Sequence, residues 1–202
     1  MRVGVFGGTF NPPHLGHMVC AQEACVQLGL DRVMFVPTSS PPHKQVERDD
    51  PGPEHRLAMC QAAIAGDDRF EACDLEVARG GTSYTVDTLV ELKRRAPDTE
   101  LFLILGGDVA AGLPEWRDPD RVLSLATPAL AARSGTPSAA VTSALKRVPG
   151  GERACAFDMP TIELSSTMIR GRAAEGGSIR YLVPDGVADY IERNGLYRMA
   201  AP

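Results

Sequence analysis

The stretch GGTFNPPHLGH, residues 7–17, combines residue types that could bind an anion. Gly7 and Gly8 have no Cβ, so their backbone N–H groups can approach a ligand closely. His14 and His17 lie three residues apart, which places both imidazoles on one face of a helix that begins near His14. Two imidazole donors, bare amides and the positive end of a helix dipole together predict a phosphate site.

The same stretch also has plainer interpretations. Adjacent glycines after a strand often form a tight turn, and a histidine at a helix start can cap or pack. Pro12 and Pro13 fix φ and stiffen the segment, whereas Gly16 leaves room for a bulky anion. No G-x-x-x-x-G-K-[ST] or G-x-G-x-x-G pattern occurs, which excludes a Walker loop and a dinucleotide fingerprint. A zinc site from H-x-x-H stays open, without a third ligand nearby in sequence.

A second candidate anion site is the stretch IELSSTMIR, residues 162–170. Ser165, Ser166 and Thr167 precede an apolar residue, as at the capped N-terminus of a helix. Arg170, one turn further on, could bind phosphate oxygens through its planar guanidinium. The alternative is a simple N-cap followed by a surface arginine.

Other residues suggest contacts to an organic substrate. Trp116, the only tryptophan, offers a flat face for stacking, with a core tryptophan as the alternative. Gly106 and Asp108 follow the apolar run LFLIL, where Asp108 could accept hydrogen bonds from ribose hydroxyls or serve as a structural turn residue. Lys44 could be a mobile cation or a solvated charge in the long loop 38–53. Arg56 is expected at the surface.

The elements that position these residues alternate along the chain. Strands are predicted at 2–6, 32–37, 70–77, 101–105 and 128–132, and helices from 14 to 29, around 57–64 and from 84 to 95. This order predicts an α/β fold, a Rossmann-like doubly wound parallel sheet with helices on both faces. Ligands of such sheets bind beyond the carboxyl ends of the strands.

Length and composition narrow the class of protein. The 202 residues fit one domain, 1–202, of which about 161–202 is expected to be a small C-terminal helical segment, and 134–160 a variable region. The net charge of −5, without a basic block, predicts no nucleic-acid partner. Five cysteines without a C-x-x-C pair predict buried thiols in a reducing compartment. The lack of a long apolar run predicts no membrane partner and a cytoplasmic location.

Four stretches together resemble a known family. GGTFNPPHLGH resembles the signature of nucleotidyltransferases with an H-x-G-H motif, which transfer AMP or CMP from a nucleoside triphosphate. GTSYTVDTL at 81–89, GGDVAAGLPEW at 106–116 and IELSSTMIR narrow the resemblance, and the ending YLVPDGVADYIERNGLY at 181–197 is also similar. Over nearly the whole chain, these stretches resemble the bacterial nicotinate mononucleotide adenylyltransferases.

The resemblance implies an enzyme of NAD biosynthesis. It would transfer adenylyl from ATP to nicotinate mononucleotide, giving nicotinate adenine dinucleotide and pyrophosphate. The nicotinate ring would stack on Trp116, its carboxylate would bind near Tyr84 and Thr85, and Lys44 would contact phosphate. The residues implied to bind ATP are Gly7, Gly8, Thr9, Phe10, His14, His17, Gly106, Asp108, Ser165, Ser166, Thr167 and Arg170.

Direct displacement is the expected mechanism, because no residue is set up as a covalent nucleophile beside a base. His17 is expected at the α-phosphate, with His14, Lys44 and Arg170 along the triphosphate. Mg²⁺ would be held by substrate phosphates and water, with no protein ligand. Asn11 stands where many members of the family carry Asp, so it keeps the hydrogen-bonding capacity without the charge.

Three alternative functions stay open. One is an adenylyltransferase of the same superfamily that acts on phosphopantetheine. Another is a non-catalytic nucleotide-binding sensor, and the third is a purely structural Rossmann-like protein. The residues decide neither the preference between nicotinate and nicotinamide acceptors nor whether the chain forms a homo-oligomer.

Overall fold

A six-stranded parallel sheet forms the centre of the computed structural model, which describes residues 1–42, 49–132 and 139–198, except the side chains of Asp108 and Ala140. The strand order is β3-β2-β1-β4-β5-β6. The order reverses between β1 and β4, the position at which α/β sheets bind ligands. The strands are β1 (Arg2–Gly8), β2 (Arg32–Pro37), β3 (Phe70–Ala72), β4 (Glu100–Gly106), β5 (Ala126–Ala132) and β6 (Cys155–Asp158).

Helices connect the strands and cover the sheet. The described residues also contain short 3-10 turns at Leu113–Glu115 and Gly151–Arg153. The α-helices are α1 (Leu15–Gln27), α2 (Pro53–Ala63), α3 (Leu75–Arg79), α4 (Thr85–Arg95), α5 (Gly107–Ala111), α6 (Pro119–Leu125), α7 (Ala139–Leu145), α8 (Ser166–Ala174) and α9 (Asp185–Arg193).

Alternate residues of the central strands enter two separate cores. Val5 of β1 packs in a core that includes Leu89 of α4, whereas its neighbour Phe6 packs in a core that includes Ala21 of α1. Successive side chains of a strand point to opposite faces of the sheet, so a strand buried on both faces is apolar throughout. The predicted doubly wound fold with helices on both faces is confirmed.

The C-terminal helices form a third apolar cluster with α2. Met59 of α2, Ile169 of α8 and Val187 of α9 are fully buried in it. Gly186 lies where α9 approaches α2, and a Cβ added there would be 2.7 Å from the carbonyl oxygen of Ala62. The predicted C-terminal helical part is therefore present, and it packs on α2.

One element prediction is wrong. The predicted strand 70–77 ends at Ala72, and α3 begins at Leu75, because this is a short strand at the edge of the sheet. The sequence predicted no element within 134–160, the region expected to be variable, and the structure has α7 and the other edge strand, β6, there. The β6 sequence, CAFD, is too short to give a clear periodic signal.

Two composition-based expectations concern cysteines and membranes. All five cysteines are free thiols and four of them are buried, as predicted. Within the described ranges, none of the helices has the length and apolar character needed to cross a bilayer.

The close approach at Gly186 gives a stability prediction. Gly186→Ala is expected to lower the free energy of unfolding by about 1–3 kcal/mol, because the new methyl group would push α9 away from α2. Urea denaturation followed by circular dichroism measures this change. Gly171→Ala in α8 is the matched control, since none of the described residues outside that turn of α8 has an atom within 4 Å of the added Cβ. Equal losses in both variants would contradict the packing argument.

Candidate active site

The first candidate site is the loop that joins β1 to α1. β1 ends at Gly8, and α1 begins after His14, whose extended backbone marks the N-cap. Between them, Phe10 adopts a left-handed conformation with φ of 50°. The loop lies at the carboxyl end of the central strand, so the predicted position beside the start of a helix is confirmed.

The two histidines of the loop stack on one another. The ring centroids of His14 and His17 are 3.8 Å apart, with 30° between the ring planes. The prediction that they share one face of the first helical turn is therefore confirmed. A Cβ at Gly16 would lie 3.0 Å from the His14 ring. The imidazole of His14 therefore lies directly against the backbone of Gly16.

One hydrogen bond determines the tautomer of His17. The backbone N–H of His14 donates to Nδ1 of His17, with the two nitrogen atoms 3.1 Å apart. Nδ1 must be unprotonated to accept this bond, so a neutral His17 carries its proton on Nε2. The Nε2–H group is therefore the donor that His17 can offer to a ligand.

Both imidazoles are neutral at pH 7 in the free protein. Burial lowers the pKa of His14 to about 4. The pKa of His17 is lowered to about 3, first by burial and second by the charge of His14. The Phe10 ring packs edge-on against His17, with 5.1 Å between centroids. A bound polyanion would favour the protonated forms and raise both pKa values.

The buried side chain of Arg56 forms hydrogen bonds with the backbone of the loop. The side chain is 1% exposed, and its guanidinium donates to the carbonyl oxygens of Thr9 at 3.0 Å, Thr38 at 2.6 Å and Ser39 at 2.9 Å. Its Nε also contacts the Asp50 carboxylate at 3.2 Å. The expected surface position of Arg56 is wrong, because a guanidinium has enough donors to be buried when carbonyls surround it.

Residues of the C-terminal region also form hydrogen bonds with the same loop. Arg170 Nη1 donates to the Asn11 carbonyl at 2.9 Å, and its Nε donates to Asp49 at 2.8 Å. The Tyr197 hydroxyl donates to the Asn11 side-chain oxygen at 2.6 Å. The Ser166 hydroxyl donates to the Pro12 carbonyl at 2.9 Å. The Asn11 side chain is thus buried against a tyrosine.

The helix that begins at Ser166 has the predicted cap. The Ser165 hydroxyl accepts from the backbone N–H of Met168 at 3.2 Å, as expected for an N-cap. Thr167 follows Ser166 in the exposed first turn, and Arg170 is 6% exposed one turn later. The alternative of a surface arginine is therefore wrong, and Arg170 connects α8 to the histidine loop.

A cavity of about 270 Å³ opens beside this loop. Its lining includes Val5 of β1 and Leu103 of β4, so it lies at the point where the strand order reverses. Gly7, Gly8 and Thr9 form part of its wall. The first residues of the loop therefore belong to the cavity, and its last residues carry the histidine pair.

The opposite wall contains the predicted aromatic residues. Tyr84 is the N-cap of α4, Thr85 is its first residue, and both line the cavity. Trp116, at the end of the 3-10 turn, also lines it and is half-buried against the core, together with Tyr84. The alternative of a core tryptophan is partly right, since Trp116 packs on the core while it borders the cavity.

A buried carboxylate also borders the cavity. Glu76 of α3 is 5% exposed, and its Oε1 accepts from the Thr88 hydroxyl at 2.5 Å. None of the described residues donates a hydrogen bond to Oε2. Burial of a carboxylate oxygen without a hydrogen-bond donor costs free energy. Glu76 therefore influences which ligands the cavity can bind.

Two predicted site positions, Lys44 and Asp108, lie wholly or partly outside the described residues. Lys44 falls outside the described residues, and so does the Asp108 side chain. The Asp108 backbone lies in α5, and Gly106 ends β4 and caps that helix. Among the described residues, no three His, Cys, Asp or Glu side chains are grouped as a metal site.

Three residues of the site were not predicted from the sequence. The buried role of Arg56 gives no periodic signal, because its contacts are backbone carbonyls remote in sequence. Glu76 lies in a segment that was expected to be a strand. Tyr197 belongs to the ending that contributed to the family resemblance, but its contact with Asn11 joins residues 186 positions apart.

Comparisons with known proteins identify the family. A model of the cytidylyltransferase-like family matches residues 5–172. The chain therefore belongs to the cytidylyltransferase-like family of nucleotidyltransferases. Its relatives include the probable nicotinate-nucleotide adenylyltransferases of Rubrobacter xylanophilus, 42% identical over 100% of this chain and 94% of the relative, and of Shouchella clausii, 44% identical over 97% and 96%. The resemblance drawn from the motifs is confirmed.

Solved structures support the same fold. The nicotinic acid mononucleotide adenylyltransferase of Plasmodium falciparum, complexed with NaAD, superposes with a TM-score of 0.75 at 19% identity, covering 97% of each chain. A putative nicotinate-nucleotide adenylyltransferase from Vibrio parahaemolyticus gives a TM-score of 0.69 at 20% identity, covering 98% of this chain and 96% of the other. At these identities, the similarity shows the shared fold.

The hydrogen bond between the histidines predicts a measurable state. In the free protein at pH 7, His17 should be neutral with its proton on Nε2, and both rings should stay neutral down to about pH 5, because both pKa values are lowered. Nitrogen-15 NMR of labelled histidines reads both properties. A peptide of residues 7–17 is the control, since unfolded histidines titrate near pH 6.5. A protonated His17 at pH 6.5 would contradict the assignment.

Proposed function

We propose that this chain transfers the adenylyl group of ATP to nicotinate mononucleotide, giving nicotinate adenine dinucleotide and pyrophosphate. One observation carries the proposal: the same loop provides a wall of an aromatic cavity and, a few residues further on, a stacked pair of neutral histidines. A transferase needs two substrates side by side, and in this proposal the loop places one at the cavity and the other at the histidines. The names of the full-length relatives agree with this activity.

In this proposal, ATP lies along the histidine loop. Gly7, Gly8, Thr9 and Phe10 form the backbone that approaches it, with His14 and His17 at the phosphates. The N-terminus of α8, with Ser165, Ser166 and Thr167, faces the same anion, and Arg170 supplies positive charge close behind the loop. Gly106 and Asp108 follow β4, where the ribose would lie.

The acceptor occupies the cavity. Its pyridine ring stacks on Trp116, and its carboxylate lies at the N-terminus of α4, near Tyr84 and Thr85. The lining is largely apolar with few polar groups, which suits a flat ring. Lys44 is proposed to contact phosphate from the loop 38–53.

The reaction is proposed to be a single displacement. A phosphate oxygen of nicotinate mononucleotide attacks the α-phosphorus of ATP, the bond to the bridging oxygen breaks, and pyrophosphate leaves with that electron pair. The attacking oxygen is already ionised, so no general base is required. His17 Nε2–H donates to the α-phosphate, and catalysis consists of positioning and stabilisation of charge.

Mg²⁺ is proposed to enter as part of the MgATP substrate. In this proposal, the cation is bound by phosphate oxygens and water. When bound, it neutralises charge on the triphosphate. The residues of this chain then need only hold the phosphates in line.

The acceptor assay tests the proposed function. Pyrophosphate release is measured with MgATP and, separately, nicotinate mononucleotide, nicotinamide mononucleotide or phosphopantetheine. We expect kcat/KM at least about tenfold higher for the nicotinate acceptor than for the other two, a difference of about 1.4 kcal/mol. Turnover with phosphopantetheine alone would reassign the acceptor. No turnover with any acceptor would favour a nucleotide-binding sensor and contradict the proposal.

The role of His17 gives a separate prediction. His17→Ala is expected to lower kcat by about 10²- to 10³-fold, because one donor to the transition state is removed. His55→Ala is the matched control, since His55 also makes a hydrogen bond, to the Tyr190 hydroxyl at 2.9 Å, between α2 and α9. Near-normal kcat in a folded His17 variant would remove this residue from the mechanism.

A further inference from the structure

The acceptor cavity contains a cation that could distinguish two related ligands. Nicotinate and nicotinamide mononucleotides differ in one ring substituent, an anionic carboxylate or a neutral carboxamide. Arg117 and Glu76 are the charged side chains among the described residues that line the cavity, and Arg117 is the only cation of the two.

Arg117 is held in place by an aromatic ring. Its guanidinium carbon lies 4.6 Å from the centroid of the Tyr84 ring, in a cation–π contact. Tyr84 caps α4, so this contact brings the positive charge to the helix end at which the ring carboxylate is proposed to bind. Arg117 also directly follows Trp116, on which the ring is proposed to stack.

The present ionic partner of Arg117 is weakly bound. Nη1 lies 3.7 Å from Asp87 Oδ2, and the side chains of Arg117 and Asp87 are 58% and 43% exposed. Exposed pairs of this kind contribute little to stability. A ligand carboxylate could therefore replace Asp87 with little loss of stability. The planar guanidinium can donate two parallel hydrogen bonds to such a carboxylate.

The carboxylate of Glu76 makes the positive charge of Arg117 more important for binding an anionic ligand. Its carboxylate borders the same cavity, is 5% exposed, and has one oxygen without a described donor. A second anion in the cavity is disfavoured by repulsion unless a positive charge offsets it. A neutral carboxamide meets no such repulsion, so loss of the cation should affect the nicotinate ligand selectively.

We propose that Arg117 is a specificity-determining residue that favours a carboxylate over a carboxamide on the pyridine ring. This inference rests on the proposed function, because it assigns the ring to this cavity. In this proposal, the guanidinium of Arg117 binds the ring carboxylate, in addition to the backbone groups at the start of α4.

Intrinsic fluorescence measures binding without catalysis. Trp116 is the only tryptophan in the chain, so a ring that stacks on it should quench the emission. Titrations with nicotinate mononucleotide and nicotinamide mononucleotide give two dissociation constants for each variant. The variants are Arg117→Met, which removes the charge, and Arg117→Lys, which keeps the charge without the planar stack on Tyr84. Arg121→Met, an exposed arginine of α6, is the matched control.

We expect the affinity ratio of nicotinate to nicotinamide ligand to fall about tenfold or more in Arg117→Met, with an intermediate ratio in Arg117→Lys and no change in Arg121→Met. The ratio of kcat/KM values should follow. An unchanged ratio in Arg117→Met, or equal weakening of both ligands, would overturn the inference. Failure of the proposed function would differ, because the wild-type protein would then release no pyrophosphate with the nicotinate acceptor.

Discussion

The site depends on hydrogen bonds to the backbone carbonyls of the histidine loop, the segment that joins β1 to α1 and ends at His14. The carbonyl oxygens of Thr9, Asn11 and Pro12 accept from Arg56, Arg170 and Ser166 respectively. Two of these donors are buried guanidinium groups, whose bonds are stronger than neutral ones. A loop after a strand would otherwise move relative to the sheet. Because its carbonyls are bound on the inner side, its backbone conformation is fixed before a substrate arrives.

The rigid loop explains why one fold can serve two substrates. The sheet reverses its strand order beside β1, which creates a crevice at the carboxyl end, and the loop crosses this crevice. The neutral state of His14 and His17 follows from the same burial that fixes them. Two neutral imidazoles place no permanent charge in a buried position, so the free protein avoids a large desolvation cost. Under the proposed function, they would still donate hydrogen bonds to the substrate phosphates.

The sequence was sufficient for features that depend on local pattern. Short apolar runs predicted β1, β2, β4 and β5, and the spacing of the histidines predicted that they share one face of the first turn of α1. It was insufficient where distant residues meet. Arg56 has an ordinary position at a helix start, and only the tertiary structure surrounds it with three carbonyls. The edge strand β3 is equally ambiguous in sequence, since an apolar segment of that length fits a strand or a helix.

A crystal structure with nicotinate adenine dinucleotide bound would show directly whether the histidine loop joins the two substrate sites. We expect the pyridine ring to stack on Trp116 and an oxygen of the adenylyl phosphate to lie within about 3.2 Å of His17 Nε2, the usual hydrogen-bond range. The loop backbone should match its conformation in the free protein. A ring outside the cavity, phosphates remote from His17, or a rearranged loop would contradict the claim that this prearranged loop joins the two substrate sites.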